Sequence, residues 1–136
     1  MKLPPDIPIY GNIKFRGKCP TETAEQITFF NEIRRLWPDT WGVIATHIRN
    51  EGKKTAQQVK REKAEGMVTG ASDIAIGGWR CELKRQDHTK CKISDEQIAY
   101  LSTTIKLGYT ACIALGWEAA LEAFKEYIDV RNANES

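Results

Sequence analysis

The stretch Gly70-Ala-Ser-Asp-Ile-Ala-Ile-Gly-Gly-Trp-Arg-Cys-Glu-Leu-Lys-Arg85 decides how the rest of the chain is read. Two short β-prone runs flank Gly77-Gly78, and a Gly-Gly pair suits the positive φ angles of a tight two-residue hairpin turn. That turn sets a register in which Ile76 faces Trp79, Ala75 faces Arg80, Ile74 faces Cys81 and Asp73 faces Glu82. Side chains alternate along a strand, so the two faces separate. Ile74, Ile76, Trp79, Cys81 and Leu83 form an apolar face, which predicts the buried side. Asp73, Ala75, Arg80, Glu82 and Lys84 form a polar face.

The polar face carries the chemistry. Directly opposed residues of an antiparallel pair have Cβ atoms about 4.5–5.5 Å apart, and like charges at that spacing repel. Two carboxylates are tolerated there when a cation sits between them, and an oxygen-rich site suits a hard divalent ion such as Mg²⁺ or Mn²⁺. Lys84 follows Glu82 by two residues, on the same face. Two acids and a lysine around such an ion can polarise a phosphoryl group, activate water and offset developing negative charge.

At these residues the sequence resembles the PD-(D/E)xK nuclease superfamily. Gly70-Ala-Ser-Asp73-Ile, then Cys81-Glu82-Leu83-Lys84-Arg85, then Ser94-Asp-Glu-Gln97 is similar to its VRR-NUC branch, especially the short stand-alone forms of phages. Ser72 stands where the superfamily usually has a proline. The resemblance spans roughly residues 22–128 and implies an α/β fold: a restriction-endonuclease-like core, with a mixed central sheet flanked by helices. It implies that Asp73, Glu82, the Leu83 carbonyl and a helical glutamate hold Mg²⁺ or Mn²⁺. Lys84 then acts on the nucleophile or the developing charge, and Gln97 supports the site. It further implies cleavage of DNA, with branched or Holliday-junction DNA as the expected substrate, and a homodimer that places two sites on two strands.

Outside the hairpin the chain reads as one domain. Its 136 residues are 41% hydrophobic and 28% charged, ordinary for a globular protein, and net charge is only +2. No apolar run approaches the ~18 residues of a membrane span, so no membrane role is expected. No secretory leader is apparent at the N-terminus, which points to the cytoplasm, that of a bacterial host if the chain is phage-encoded. Charge is unevenly placed. Residues 46–92 hold eleven Lys/Arg against six Asp/Glu, and the rest hold nine against twelve. The basic excess surrounds the hairpin, as phosphate binding requires. Arg49, Asn50, Lys53, Lys54, Lys60, Arg61 and Arg85 are the candidate DNA contacts.

In order, residues 1–20 read as an extended arm with Pro4, Pro5 and Pro8 and a basic cluster of Lys14, Arg16 and Lys18. Residues 21–130 form the domain, and 131–136 a polar tail. A helix is expected from about Glu22 to Trp37, with Ile27, Phe30, Ile33 and Trp37 as its apolar stripe. Glu22 and Gln26 lie four apart on one face, and the resemblance makes Glu22 the helical acid. A capping box from Thr23 to Gln26 would instead leave Glu22 outside the helix, and Glu25 is the competing acid. Residues 41–48 read as a strand. Residues 53–66 read as an exposed helix or a loop, and His47 receives no catalytic role. Ser94 caps a helix ending at Gly108, with Gln97 either its box partner or a site residue. Residues 109–115 read as a buried strand and 117–128 as a closing helix, with the acids on the open face of the sheet. His88 and Cys91 would need two more ligands to form a zinc site. Two other readings compete with the nuclease. One is a non-catalytic nucleic-acid-binding module on the same fold. The other is surface pairing of the acids with Arg80 and Lys84, which would contribute only ~0–1 kcal/mol.

Overall fold

In the computed structural model, which describes residues 1–48, 55–66 and 70–135, the hairpin is the centre of a five-stranded sheet. Strands β3 (Ile74–Ile76) and β4 (Trp79–Lys84) pair antiparallel with Ile76 opposite Trp79, Ala75 opposite Arg80 and Ile74 opposite Cys81, the register expected. Of the two turn glycines only Gly77 has a positive φ, +56°, which is enough for a II′-type turn. Gly78 serves packing instead, because an added Cβ would lie 3.0 Å from the Tyr127 hydroxyl.

The remaining strands are β1 (Ile9–Tyr10), β2 (Thr46–His47) and β5 (Thr110–Leu115), in the order β1-β5-β4-β3-β2. β1 and β4 run parallel to β5, whereas β3 is antiparallel to β4 and β2 to β3. The sheet is therefore mixed and the fold is α/β, as expected. Ile74, Ile76, Trp79, Cys81 and Leu83 are all fully buried. They pack with α1 (Glu22–Leu36) and α5 (Trp117–Glu135) around Phe29, Phe30, Ile33 and Phe124. Phe124 meets the rings of Trp37, Trp41, Trp79 and Tyr127.

On the other face, Ala111, Ile113 and Leu115 of β5 pack with Ile7 and with Leu101 of α4 (Asp95–Lys106). That face is covered, not open as the sequence suggests: Glu82 is 1% and Lys84 4% exposed. Alternation shows which side chains share a face, but not that a later helix lies across it.

Four more local readings change. Residues 41–48 are not one strand: α2 (Trp41–Ile44) precedes β2. Trp41 and Ala45, four apart, both reach the aromatic core, leaving Val43 69% exposed, so tertiary packing overrides β propensity here. On α1, Phe29 takes the core position expected of Ile27, and Ile27 is 58% exposed. Within the first twenty residues, Ile9 and Tyr10 add to the sheet edge opposite Ile113 and Ala114. The Met1 ammonium donates to the His88 carbonyl at 3.0 Å. α5 continues to Glu135, beyond its last inward residue, Ile128. α3 (Ala56–Ala64) is a mostly exposed helix with a capping box between Thr55 and Gln58.

Candidate active site

Glu82 and Lys84 project from β4 toward α4 because they alternate with the core residues Cys81 and Leu83. Asp73 stands at the entry of β3, where its Oδ2 accepts the Leu83 N–H at 3.1 Å. Ser72, in the usual proline position, is fully buried, and its hydroxyl donates to the Ile74 carbonyl at 3.2 Å. Lys84 Nζ lies 3.5 Å from Glu82 Oε1 and donates to the Lys92 carbonyl at 2.7 Å.

α1 contributes the third acid. Its N-cap is Thr21, whose hydroxyl accepts the Ala24 N–H, so Glu22 is the first helical residue. Carboxylate oxygens of Glu22, Asp73 and Glu82 all lie within 4.8 Å of one another. Glu25, one turn on, is 2% exposed and does something else. Its Oε2 accepts the Trp117 N–H at 2.8 Å, capping the start of α5. Gly116, at φ +97°, makes room for this, since a Cβ there would come within 2.5 Å of that oxygen. Glu25→Ala should therefore cost about 1–3 kcal/mol of stability by orphaning a buried N–H, yet leave divalent-metal binding intact. Glu22→Ala should do the reverse, and thermal unfolding beside calorimetric Mn²⁺ titration separates the two.

Gln97 satisfies both of its readings at once. Its Oε1 accepts the Ser94 N–H at 2.8 Å, completing the capping box of α4. Its Nε2 donates to Glu82 Oε1 at 2.9 Å. The cap thus fixes the amide that orients the buried acid.

The remaining sequence candidates are more scattered. Lys60 and Arg61 are exposed on α3. The Arg85 guanidinium is engaged by the carbonyls of Pro20 and Cys19, at 3.0 and 2.9 Å, and so ties down the N-terminal segment. Leu83 buries its side chain in the core. Arg49, Asn50, Lys53 and Lys54 lie outside the described residues. His88 and Cys91 flank a 3₁₀ turn, and the Cys91 thiol accepts the Arg85 N–H at 3.2 Å. Among the described residues, Glu22, Asp73 and Glu82 are the one grouping of three candidate metal ligands. Sequence reasoning misses His47, whose Nδ1 donates to the Asp73 carbonyl at 2.9 Å. A carbonyl can only accept, so Nδ1 carries the proton. The pairing of β2 with β3 creates this contact, and reading residues 41–48 as one strand conceals it.

The electrostatics match a cation site. Burial, then the neighbouring Asp73 charge, pushes the Glu82 carboxyl up to about 9. Burial also raises Asp73, opposed by its bond from Leu83 and the Lys84 charge. At neutral pH Glu82 is the group that keeps a proton. Its Oε2 is buried and, among the described residues, has no hydrogen-bond donor. Adjacent carboxylates raised chiefly by burial, with one oxygen left unpaired, fit a divalent ion that would replace the proton. The acids and carbonyls present are ligands for a hard cation.

No protein-family profile matches the chain, and no curated protein matches it. A solved structure described as a VRR_NUC domain protein is similar in shape, with a TM-score of 0.66 at 20% sequence identity, covering 85% of this chain and 92% of that one. On that likeness, with its mixed five-stranded sheet and flanking helices, this chain has the fold of a VRR-NUC domain protein.

Proposed function

We propose that the protein is a nuclease of the VRR-NUC type, a metal-dependent endodeoxyribonuclease using Mg²⁺ or Mn²⁺. The observation that carries this reading is the meeting of Glu22, Asp73 and Glu82 beside a buried lysine. Glu22, Asp73 and Glu82, with the Leu83 carbonyl, would hold the ion, which when bound supplies Lewis-acid polarisation of the phosphoryl group and a more acidic water. Gln97 keeps Glu82 in place. Lys84 supplies a proton-bearing cation next to the attacking water or a non-bridging oxygen, offsetting charge as the P–O bond to the leaving group breaks. Glu22 and Asp73 are only half-buried, so DNA reaches the site from their side.

The finer reading is a structure-specific enzyme that cuts branched or Holliday-junction DNA as a homodimer, in phage-type replication, recombination or repair within a bacterial cytoplasm. Its support is the resemblance of residues 70–74, 81–85 and 94–97 to stand-alone VRR-NUC forms. Among the described residues, no helix is long and apolar enough to cross a membrane. The test is cleavage of labelled four-way junction, flap and linear duplex by purified protein in Mg²⁺, Mn²⁺ or chelator. Cutting that needs the metal and favours the junction is the expected result. Binding without cutting in either metal would mean that the fold serves as a binding module instead.

A further inference from the structure

Between α1 and β2 lies a cleft of about 210 Å³, lined by Gln26, Ile27, Phe30, Asn31, Arg34 and His47. It adjoins the candidate site at two points. Gln26 is one helical turn beyond Glu22, and His47 donates to the Asp73 carbonyl. One turn is about 5.4 Å along the helix axis. Successive nucleotides of one DNA strand are about 3.4 Å apart along the duplex axis, so the cleft falls one or two nucleotides from the site.

Its lining differs from that of the larger clefts. Those along α5 present Glu118, Glu122, Glu126 and Asp129 against one cation, Lys125. The cavity under the end of α5 presents Glu126 and Glu135 with Arg131. Among the described residues the α1 cleft has no carboxylate; its charge is Arg34, and its amides are Gln26 and Asn31. A polyanion is repelled along α5 and accepted along α1. The floor is apolar. Ile27 is 58% exposed, although neither helix packing nor solubility calls for it there, and the Arg34 guanidinium sits 5.4 Å over the Phe30 ring. An exposed apolar side chain beside an arginine and two amides is the combination that meets a sugar or base face together with its phosphate. At 210 Å³ the cleft is smaller than the ~300–1,000 Å³ of sites that enclose whole small ligands, which suits one unit of a longer chain.

We propose that this cleft is a subsite for the nucleotide next to the scissile phosphate. Arg34 takes that nucleotide's phosphate, Ile27 and Phe30 meet its sugar or base, and Asn31 and His47 Nε2 supply polar contacts at the edge. The proposal rests on the nuclease reading for its substrate. It assigns to the α1 face a role in positioning the strand, separate from holding the metal.

The experiment measures binding and cutting separately. Anisotropy of a fluorescein-labelled four-way junction and of a linear duplex in Ca²⁺ reports affinity, and single-turnover cleavage in Mg²⁺ reports chemistry. The variants are Arg34→Ala, Ile27→Glu and, as control, Arg35→Ala. Arg35 is the neighbouring charge, but it is paired with Glu32 at 2.7 Å and does not line the cleft. Arg34 and Ile27 are both exposed, so folding is expected to survive each change. Arg34→Ala and Ile27→Glu should each weaken binding about tenfold, and Arg34→Ala should lower the salt slope by about 1. At saturating DNA the cleavage rate should fall by less than the affinity does, because neither residue is asked to act on the reacting bond. Equal losses in Arg34→Ala and Arg35→Ala, with Ile27→Glu neutral, would reduce the effect to diffuse attraction and overturn the subsite. Binding by the unsubstituted protein without cutting overturns the nuclease reading alone, since the Arg34 comparison still reads the cleft. Absence of binding overturns both.

Discussion

Lys84→Met should lower single-turnover DNA cleavage by about 10²–10³-fold at saturating metal, the usual loss when one preorganised charge is removed from a reacting centre. Methionine keeps the length and apolar bulk of the stem, so a side chain only 4% exposed is replaced with little change of volume. What disappears is Nζ, its bond to the Lys92 carbonyl and its position 3.5 Å from Glu82 Oε1. Glu82 keeps the bond from Gln97, so the metal ligands remain ordered and Mn²⁺ affinity should change by less than about tenfold. Asp73→Ala, by contrast, should lose metal binding and cleavage together. The split between the two variants is the diagnostic result. Should Lys84→Met retain more than a tenth of the parent rate, the lysine would be a structural tie to the Lys92 loop and not part of the reaction.

The second large effect concerns stability and runs against ordinary expectation for removing a charge partner. The Glu82 carboxyl is pushed up to about 9 in the folded protein, above the usual carboxylate range. In the unfolded chain it ionises near pH 4.5. Between those values the folded state holds a proton that the unfolded state has released, so stability falls as pH rises through the window. A tenfold difference in proton affinity between the two states corresponds to about 1.4 kcal/mol, so the whole elevation of Glu82 amounts to several kcal/mol. Glu82→Gln carries no such proton. The metal-free variant should therefore be more stable than the metal-free parent at pH 8, with a thermal midpoint higher by on the order of 10 °C. The advantage should shrink toward pH 5. Divalent metal reverses the ranking: the parent gains stability and releases about one proton on binding, whereas the variant gains little. Thermal melts from pH 5 to 9, with Mn²⁺ or chelator, and calorimetry in buffers of different ionisation enthalpy measure both. A parent whose midpoint ignores pH, or a variant less stable at pH 8, would show that the acids do not oppose one another.

How far the sequence reaches follows from what local pattern encodes. Alternation around Gly77-Gly78 carries the hairpin register, and register alone puts Asp73 beside Glu82 with Lys84 next along the face. Spacing alone leaves Glu22 and Glu25 open and only the resemblance favours Glu22, because what Glu25 does depends on where α5 starts, 92 residues later, and on Gly116 leaving space for it. Spacing likewise allows two uses for Gln97 and cannot show that one amide performs both. Helical spacing puts Ile27 in the core, yet Phe29 fills that position and Ile27 lines a cleft. His47 becomes visible only through the pairing of β2 with β3. Each miss is a contact between elements, which no periodicity records.

The bond from the Trp117 amide to Glu25 has a bearing on how the molecule comes into being. It ties the start of α5 to α1, the helix that also carries Glu22, so the last helix docks against an element of the proposed site. The site then draws on residues from 22 to 97 that meet across the sheet, with β4 and β5 joined in parallel through α4. Such long-range closure comes late, because chain entropy must be overcome before the contacts form. A chain still emerging from the ribosome, lacking residue 117, has the acids but not this tie between α1 and α5. Closure of the fold around the proposed site is thereby expected only after the last helix has been made.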